Sequence, residues 1–324
     1  MPGKLAGLLW KDFVSKNPGT TDTPVPPIEA FRTNARDNAP LATAQPSYPV
    51  LIFAPGLGGH PLEYSNLIED IVSHGYIVAA ITPTYYSGFT ILADGRVPPQ
   101  RPFGSVVTPG PTMTQDELAA MLAAATAQIN EVQDIWAGDI SFALDVLTRE
   151  NGNAQSVLRG RLDLARVGVF GHSLGGIAAV RAARTDRRLR AIVSLDGAGL
   201  GSPVSPPVVP VANDLPLDQP VLMISASIGV RDYATTLRGA TRAAHIRLLG
   251  AAHPFPTDFG VLPLPRRAAN AGATIEATRA LAVTKVYTLA FFDQHLRGVM
   301  SELLAGPSAS YPEIVFVSVA RGGP

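Results

Sequence analysis

The stretch GVFGHSLGGIAAV, residues 168–180, sets Ser173 in the pattern Gly-x-Ser-x-Gly, between an apolar β-type run and an alanine-rich one. At a sharp strand-to-helix turn a serine hydroxyl stands clear of both elements, and glycines two residues to either side keep side chains from colliding across the turn. Such a hydroxyl becomes a nucleophile only with a base to take its proton, an acid to orient that base, and donors for the oxyanion that forms when it attacks a carbonyl. The chemistry of such a set is acyl transfer through serine.

Six histidines are available as the base. His172 adjoins the serine, but at so tight a turn its side chain must point away. His74 and His295 fall near helix ends and His245 opens a strand, all ordinary structural positions. His60 follows a glycine-rich loop and is expected to line the pocket. His253 lies in LLGAAHPFPTDF, just past the last strand, where catalytic groups of α/β sheets gather, and it is the expected base. Two carboxylates qualify as the acid. Asp196 ends AIVSLDG and Asp232 follows VLMISASIGVR; both keep the order Ser, Asp, His, and spacing does not choose between them. As oxyanion donors the reading takes two backbone N–H groups: that of Leu174, next to the nucleophile, and that of Leu57 in FAPGLGGHP. This loop is not a phosphate loop, since no G-x-x-x-x-G-K-[ST] pattern is present. Tyr85, Tyr86 and Phe89, with Phe255 and Phe259 beside the base, are candidates for an apolar substrate pocket.

The elements that would position these residues alternate in type. Strands are expected at Val50–Ala54, Tyr76–Ile81, Val167–Phe170, Ala191–Leu195, Val221–Ser225 and His245–Leu249. Helices are expected at Leu62–His74, Leu174–Arg184, Tyr233–Ala243 and Thr278–Arg297, the last stopped by Gly298. Short apolar strands separated by helices imply a mostly parallel central sheet with helices on both faces, in one α/β domain spanning residues 1–324. Residues 1–49 show no clear period and read as an irregular arm. The crossover after the second strand is long: Thr114 to Glu117 has capping-box spacing, and ELAAMLAAATAQI behind it should be helical, with an interruption near Gly138. Residues 88–136 thus form either a lid over the sheet end or a helix packed on the body. Residues 197–220 read as a Pro-rich loop.

Composition narrows the partners. Across 324 residues, 26 Lys+Arg balance 26 Asp+Glu and 46% are hydrophobic, so no basic surface argues for nucleic acid. The absence of Cys removes disulfides, thiolate catalysis and Cys-ligated zinc. No metal or cofactor is required. MPGKLAGLLWKDF is too short in apolar residues for a signal peptide, and no membrane span is expected, so the chain reads as soluble, cytoplasmic or exported with its leader removed.

The combination PVLIFAPGLGG, YSNLIEDIVSHGYIVAAI, GHSLGG, SLDG and AAHPFPTDF resembles the platelet-activating factor acetylhydrolase-like branch of the α/β-hydrolases, in particular its bacterial esterase members. The resemblance runs from about Tyr48 to AFFDQHLRG…LLAGPSASYPEIVFV. It implies the α/β-hydrolase fold and a triad of Ser173, Asp196 and His253, preferring Asp196 to Asp232 because the family's acid sits in the Leu-Asp motif after the next strand. It also implies Leu57 as first oxyanion donor and ester hydrolysis through an acyl-enzyme without a cofactor; the phospholipid of the family's namesake is not carried over, and the balanced charge points instead to a small, uncharged, short- to medium-acyl ester. Amide cleavage or acyl transfer would use the same residues, and a binding protein could keep the fold without turnover. Residues 1–49 show no counterpart of the antiparallel strands the family carries ahead of the glycine loop.

Overall fold

A computed structural model describes residues 7–9, 11, 12, 14, 33–101, 113–202, 205–208, 215–229, 231–261 and 272–320. The apolar run YPVLIFA folds as β1 (Tyr48–Ala54), buried along its whole length. A single 3-10 turn (Pro61–Tyr64) leads into α1 (Ser65–Ser73), and β2 (Ile77–Ala80) follows. The long crossover holds α2 (Gln115–Gly152), after which come β3 (Leu162–His172), α3 (Leu174–Thr185) and β4 (Leu189–Leu195). Two short strands, β5 (Gly199–Ser202) and β6 (Ser205–Val208), precede β7 (Val221–Ala226), β8 (Arg231–Asp232), the helical turn α4 (Tyr233–Thr236) and β9 (Ala243–Leu248). The described chain closes with α5 (Ala277–Phe292), a π-turn at Asp293–Arg297 and β10 (Ile314–Ala320).

Seven strands form one sheet in the order β10-β9-β7-β4-β3-β1-β2, parallel except for β10. One face carries a core built on Val50, Ile52, Val169 and Ile192 against Trp136, Ile140 and Leu144 of α2 and the alanines of α3. The other face packs Leu51, Phe53, Phe170 and Val193 against Tyr287, Phe291 and Phe292 of α5 and Leu67 and Ile71 of α1. Alternate residues of each strand thus feed opposite cores, as in a parallel sheet covered on both sides. This is the α/β-hydrolase fold.

Several expectations are corrected. Tyr233–Ala243 is helical only through Thr236. Gly239 then takes φ +72°, Ala240 bridges to Leu217, and Ala243 opens β9. The interruption expected near Gly138 does not occur: α2 runs unbroken for 38 residues. Its predicted capping box is formed, with Thr114 Oγ1 accepting from Glu117 N and Glu117 Oε2 accepting from Thr114 N. From Val132 onward its inner face packs into the core. In the Pro-rich segment, β5 pairs with β6 and β8 in a small antiparallel sheet, while residues 203, 204 and 209–214 lie outside the described residues. In the irregular arm, residues 7–9, 11, 12 and 14 are helical and Leu9 is buried; residues 1–6, 10, 13 and 15–32 lie outside the described residues, as do 102–112 of the crossover. No described helix is long and apolar enough to cross a membrane.

Candidate active site

Each expected site residue stands just beyond the carboxyl end of a strand. Ser173 follows β3 directly and caps the start of α3, with φ 55° and ψ −121°. A non-glycine residue in this region is strained, and the surroundings fix it: Ser173 N–H donates to Leu195 O at 2.8 Å, and Ile177 N–H donates to Ser173 O at 3.1 Å. The flanking glycines are a packing necessity. A Cβ on Gly171 would lie 2.4 Å from the Gly175 carbonyl oxygen, and one on Gly175 would lie 2.3 Å from the carbonyl oxygens of Ala54 and Pro55. Strand β1 and the start of α3 meet at a distance only glycine permits.

Asp196 follows β4 with φ 50° and is wholly buried. Its Oδ1 accepts from Ala226 N–H at 2.8 Å and from the Tyr233 hydroxyl at 2.5 Å, and its Oδ2 meets His253 Nδ1 at 2.5 Å. An ionised carboxylate only accepts, so Nδ1 carries the proton and Nε2 is left to accept from the Ser173 hydroxyl at 3.0 Å. The structure therefore brings Ser173, His253 and Asp196 into one hydrogen-bonded chain. Asp232 lies in β8, its backbone paired with Gly199.

His172 is not a link in this chain, although its ring lies 4.5 Å from that of His253. Its Nε2 meets the His253 carbonyl oxygen at 2.9 Å, so Nε2 must donate, and its Nδ1 lies 2.8 Å from the Tyr64 hydroxyl. Tyr64 oxygen accepts from Gly56 N–H at 3.1 Å. Burial, with Glu63 alongside, holds the Tyr64 phenol well above its ordinary range, so it stays protonated. This buried relay ties the glycine loop after β1 to the backbone of the base.

The same loop presents the expected oxyanion donor. Gly56, Gly58 and Gly59 use their N–H groups on Tyr64 Oη, Tyr86 O and Gly56 O, whereas Leu57 N–H has no acceptor among the described residues. Leu174 N–H, in the first turn of α3, likewise has none. A Cβ on Gly56 would sit 3.4 Å from Ser173 Cβ, which shows how closely this loop approaches the serine.

The expected pocket residues divide. Tyr85 is 41% exposed, at φ 73°, with the Arg101 guanidinium 5.0 Å above its ring. His60 caps the turn at Leu62 through Nδ1 and stacks on buried Phe89 at 4.2 Å, so this pair forms a wall. Phe259 is half-buried in a 3-10 turn. Tyr86 and Phe255 are buried, each packed in one of the two hydrophobic cores. Tyr64 and Tyr233 were not anticipated from the sequence. Among the described residues no group of three or more His, Cys, Asp or Glu could hold a metal.

Residues 27–88 match the family model for platelet-activating factor acetylhydrolase, isoform II, and residues 106–206 match that for PET hydrolase-like proteins. The chain is 27% identical over 209 residues to a platelet-activating factor acetylhydrolase of Cavia porcellus, covering 61% of this chain and 44% of that protein. It is 26% identical to a probable 1-alkyl-2-acetylglycerophosphocholine esterase of Arthroderma benhamiae, covering 83% and 66%. The chain thus spans about half to two thirds of the length of these curated relatives. The solved structure of a ferulic acid esterase from Streptomyces cinnamoneus superposes with a TM-score of 0.64 at 28% identity, covering 95% of this chain and 84% of that one. Fold, strand-to-helix serine turn and relatives together make the chain an α/β-hydrolase-fold protein that is similar to platelet-activating factor acetylhydrolases and to a ferulic acid esterase.

Proposed function

We propose that the protein is a serine hydrolase that cleaves a small, uncharged carboxylic ester through an acyl-enzyme. The observation that carries this reading is the continuous chain Ser173 Oγ, His253 Nε2, His253 Nδ1 and Asp196 Oδ2, with contacts of 3.0 and 2.5 Å. Ser173 attacks the ester carbonyl carbon while His253 Nε2 takes its proton. The imidazolium, oriented by Asp196, returns that proton to the leaving alcohol. Water then attacks the acyl-serine by the same route and releases the acid. Leu57 and Leu174 N–H groups hold the oxyanion in both halves, a contribution of about 3–4 kcal/mol for a single donor in comparable sites.

The relatives named for ester substrates support the bond type. The half-exposed Leu57 and Tyr85 side chains on the loops beside the serine favour an apolar substrate surface over a charged one. The test is a panel of p-nitrophenyl esters from acetyl to dodecanoyl, run beside a phospholipid and an aromatic diester. Turnover on the short and medium acyl groups, falling for long chains, is the expected result. No hydrolysis of any ester by folded protein overturns the reading.

A further inference from the structure

A cavity of about 470 Å³ opens at the end of the sheet opposite the serine, where the parallel strands begin. Its walls come from residues just before or at those starts: Arg166 ahead of the buried run of β3, Arg187 and Arg190 around the start of β4, Gln219 before β7 and Arg242 before β9, with His295 of the π-turn below them. The sheet register explains this gathering. Val167 pairs with Leu189 and Gly168 with Ala191, so Arg190 is the unpaired bulge residue and turns out of the ladder. Arg242 lends its carbonyl to Val221 N–H at 2.9 Å, which sets it directly beside that strand's start.

Two of the four guanidinium groups are already neutralised. Arg166 pairs with Asp163 at 2.6 Å, and Arg187 reaches Asp218 and Gln219 Oε1, each at 3.2 Å. Arg190 and Arg242 have no ion-pair partner among the described residues. In a chain with no net charge, these two leave a local excess of positive charge at the cavity, where the lining carboxylate, Asp218, is already paired with Arg187. The field is felt nearby: burial, and then Arg242, push the His295 imidazole down to about 4, so at neutral pH it is an uncharged donor or acceptor on the floor. Planar guanidinium forks match the oxygens of phosphate and carboxylate groups, and the volume lies in the range of small-molecule sites.

We propose that this cavity is a binding site for a compact multivalent anion, held through phosphate or carboxylate oxygens by Arg190 and Arg242. It is separate from the serine site and does not depend on the reading of that site. Calorimetric titration of the full chain with inorganic pyrophosphate and with citrate, at matched ionic strength, tests it. Saturable binding of either probe is expected; pyrophosphate alone assigns the phosphate class, and both together assign polyanions generally. Arg190→Gln and Arg242→Gln should each weaken binding by about tenfold, while Arg159→Gln, an exposed charge outside the cavity, should leave it intact. Arg190→Lys keeps the charge but loses the fork, and should weaken it less than the glutamine variant. Ester turnover should be unchanged in all four. Heat no greater than that of chloride, or equal loss from Arg159→Gln, overturns the site.

Discussion

At the scale of single residues, the proposed acid carries the sharpest consequence. Asp196 gives one oxygen to His253 and the other to Ala226 N–H and the Tyr233 hydroxyl, so an amide at this position would upset both sides. Asp196→Asn should keep the fold and lower kcat by roughly 10³–10⁴, as in other triads where the wrong tautomer is favoured. Asp232→Asn should change kcat little, and steady-state kinetics of both variants on one short-chain ester checks this. Tyr233→Phe leaves the charge of Asp196 but removes one of its donors. It should cost about 1 kcal/mol in stability and a smaller loss of kcat than Asp196→Asn, read from thermal melts and turnover. Ser173 and His253 were legible because their surroundings, a glycine turn and a post-strand loop, are local. The choice of acid was not, since chain spacing does not say which loop reaches the imidazole; resemblance supplied it. Tyr64 and Tyr233 carried no signal beyond that of ordinary buried aromatics. Their partners lie 108 and 37 residues away in sequence.

At the scale of elements, two glycines in helices make opposite predictions. Gly175 stands where a Cβ would fall 2.3 Å from two backbone carbonyl oxygens, so Gly175→Ala must push β1 and α3 apart. It should abolish turnover or yield no folded protein, as seen by activity and circular dichroism. Gly138 lies in the interior of α2 with nothing within 4 Å of an added Cβ, so Gly138→Ala should stabilise the chain by about 0.5–1 kcal/mol, raising Tm without affecting turnover. This same residue misled the reading of the helix. Burial of Trp136, Ile140 and Leu144 on one face outweighs the local cost of one glycine. The Tyr233–Ala243 helix failed for the converse reason: TTLRGAT has the apolar spacing of a turn or two, but β-branched threonines and a glycine end it early. The six central strands were legible as short apolar runs. β10 was missed because an edge strand, with Val315 and Val317 largely open, lacks that continuous buried pattern.

At the scale of the whole molecule, stability should depend on pH through one buried and two half-buried groups. Burial, with Arg247 nearby, holds His245 at about 4, and His295 is likewise at about 4. Both are below the ordinary value of 6.5, so the unfolded chain binds more protons than the folded one between those limits. Their contribution is present above pH 6.5 and lost as pH falls toward 4. Asp258 runs the other way: burial raises it to about 6, so it favours the folded state below about 4 and loses that contribution as pH rises through 6. Tm should therefore fall between pH 6.5 and 4 less steeply than the two histidines alone dictate. His245→Gln with His295→Gln should flatten the fall, and Asp258→Asn should raise Tm at pH 7; an unchanged profile in all three contradicts these assignments. In the proposed account the fold serves one arrangement, in which the segments after β1, β3, β4 and β9 bring Leu57, Ser173, Asp196 and His253 to the same end of the sheet as donor, nucleophile, acid and base. The most direct test of that claim is the site of covalent labelling by a fluorophosphonate, mapped by peptide mass spectrometry. One adduct, on Ser173, is predicted, with labelling and ester turnover both absent in Ser173→Ala. An adduct on a different serine, or turnover retained in that variant, would contradict the account.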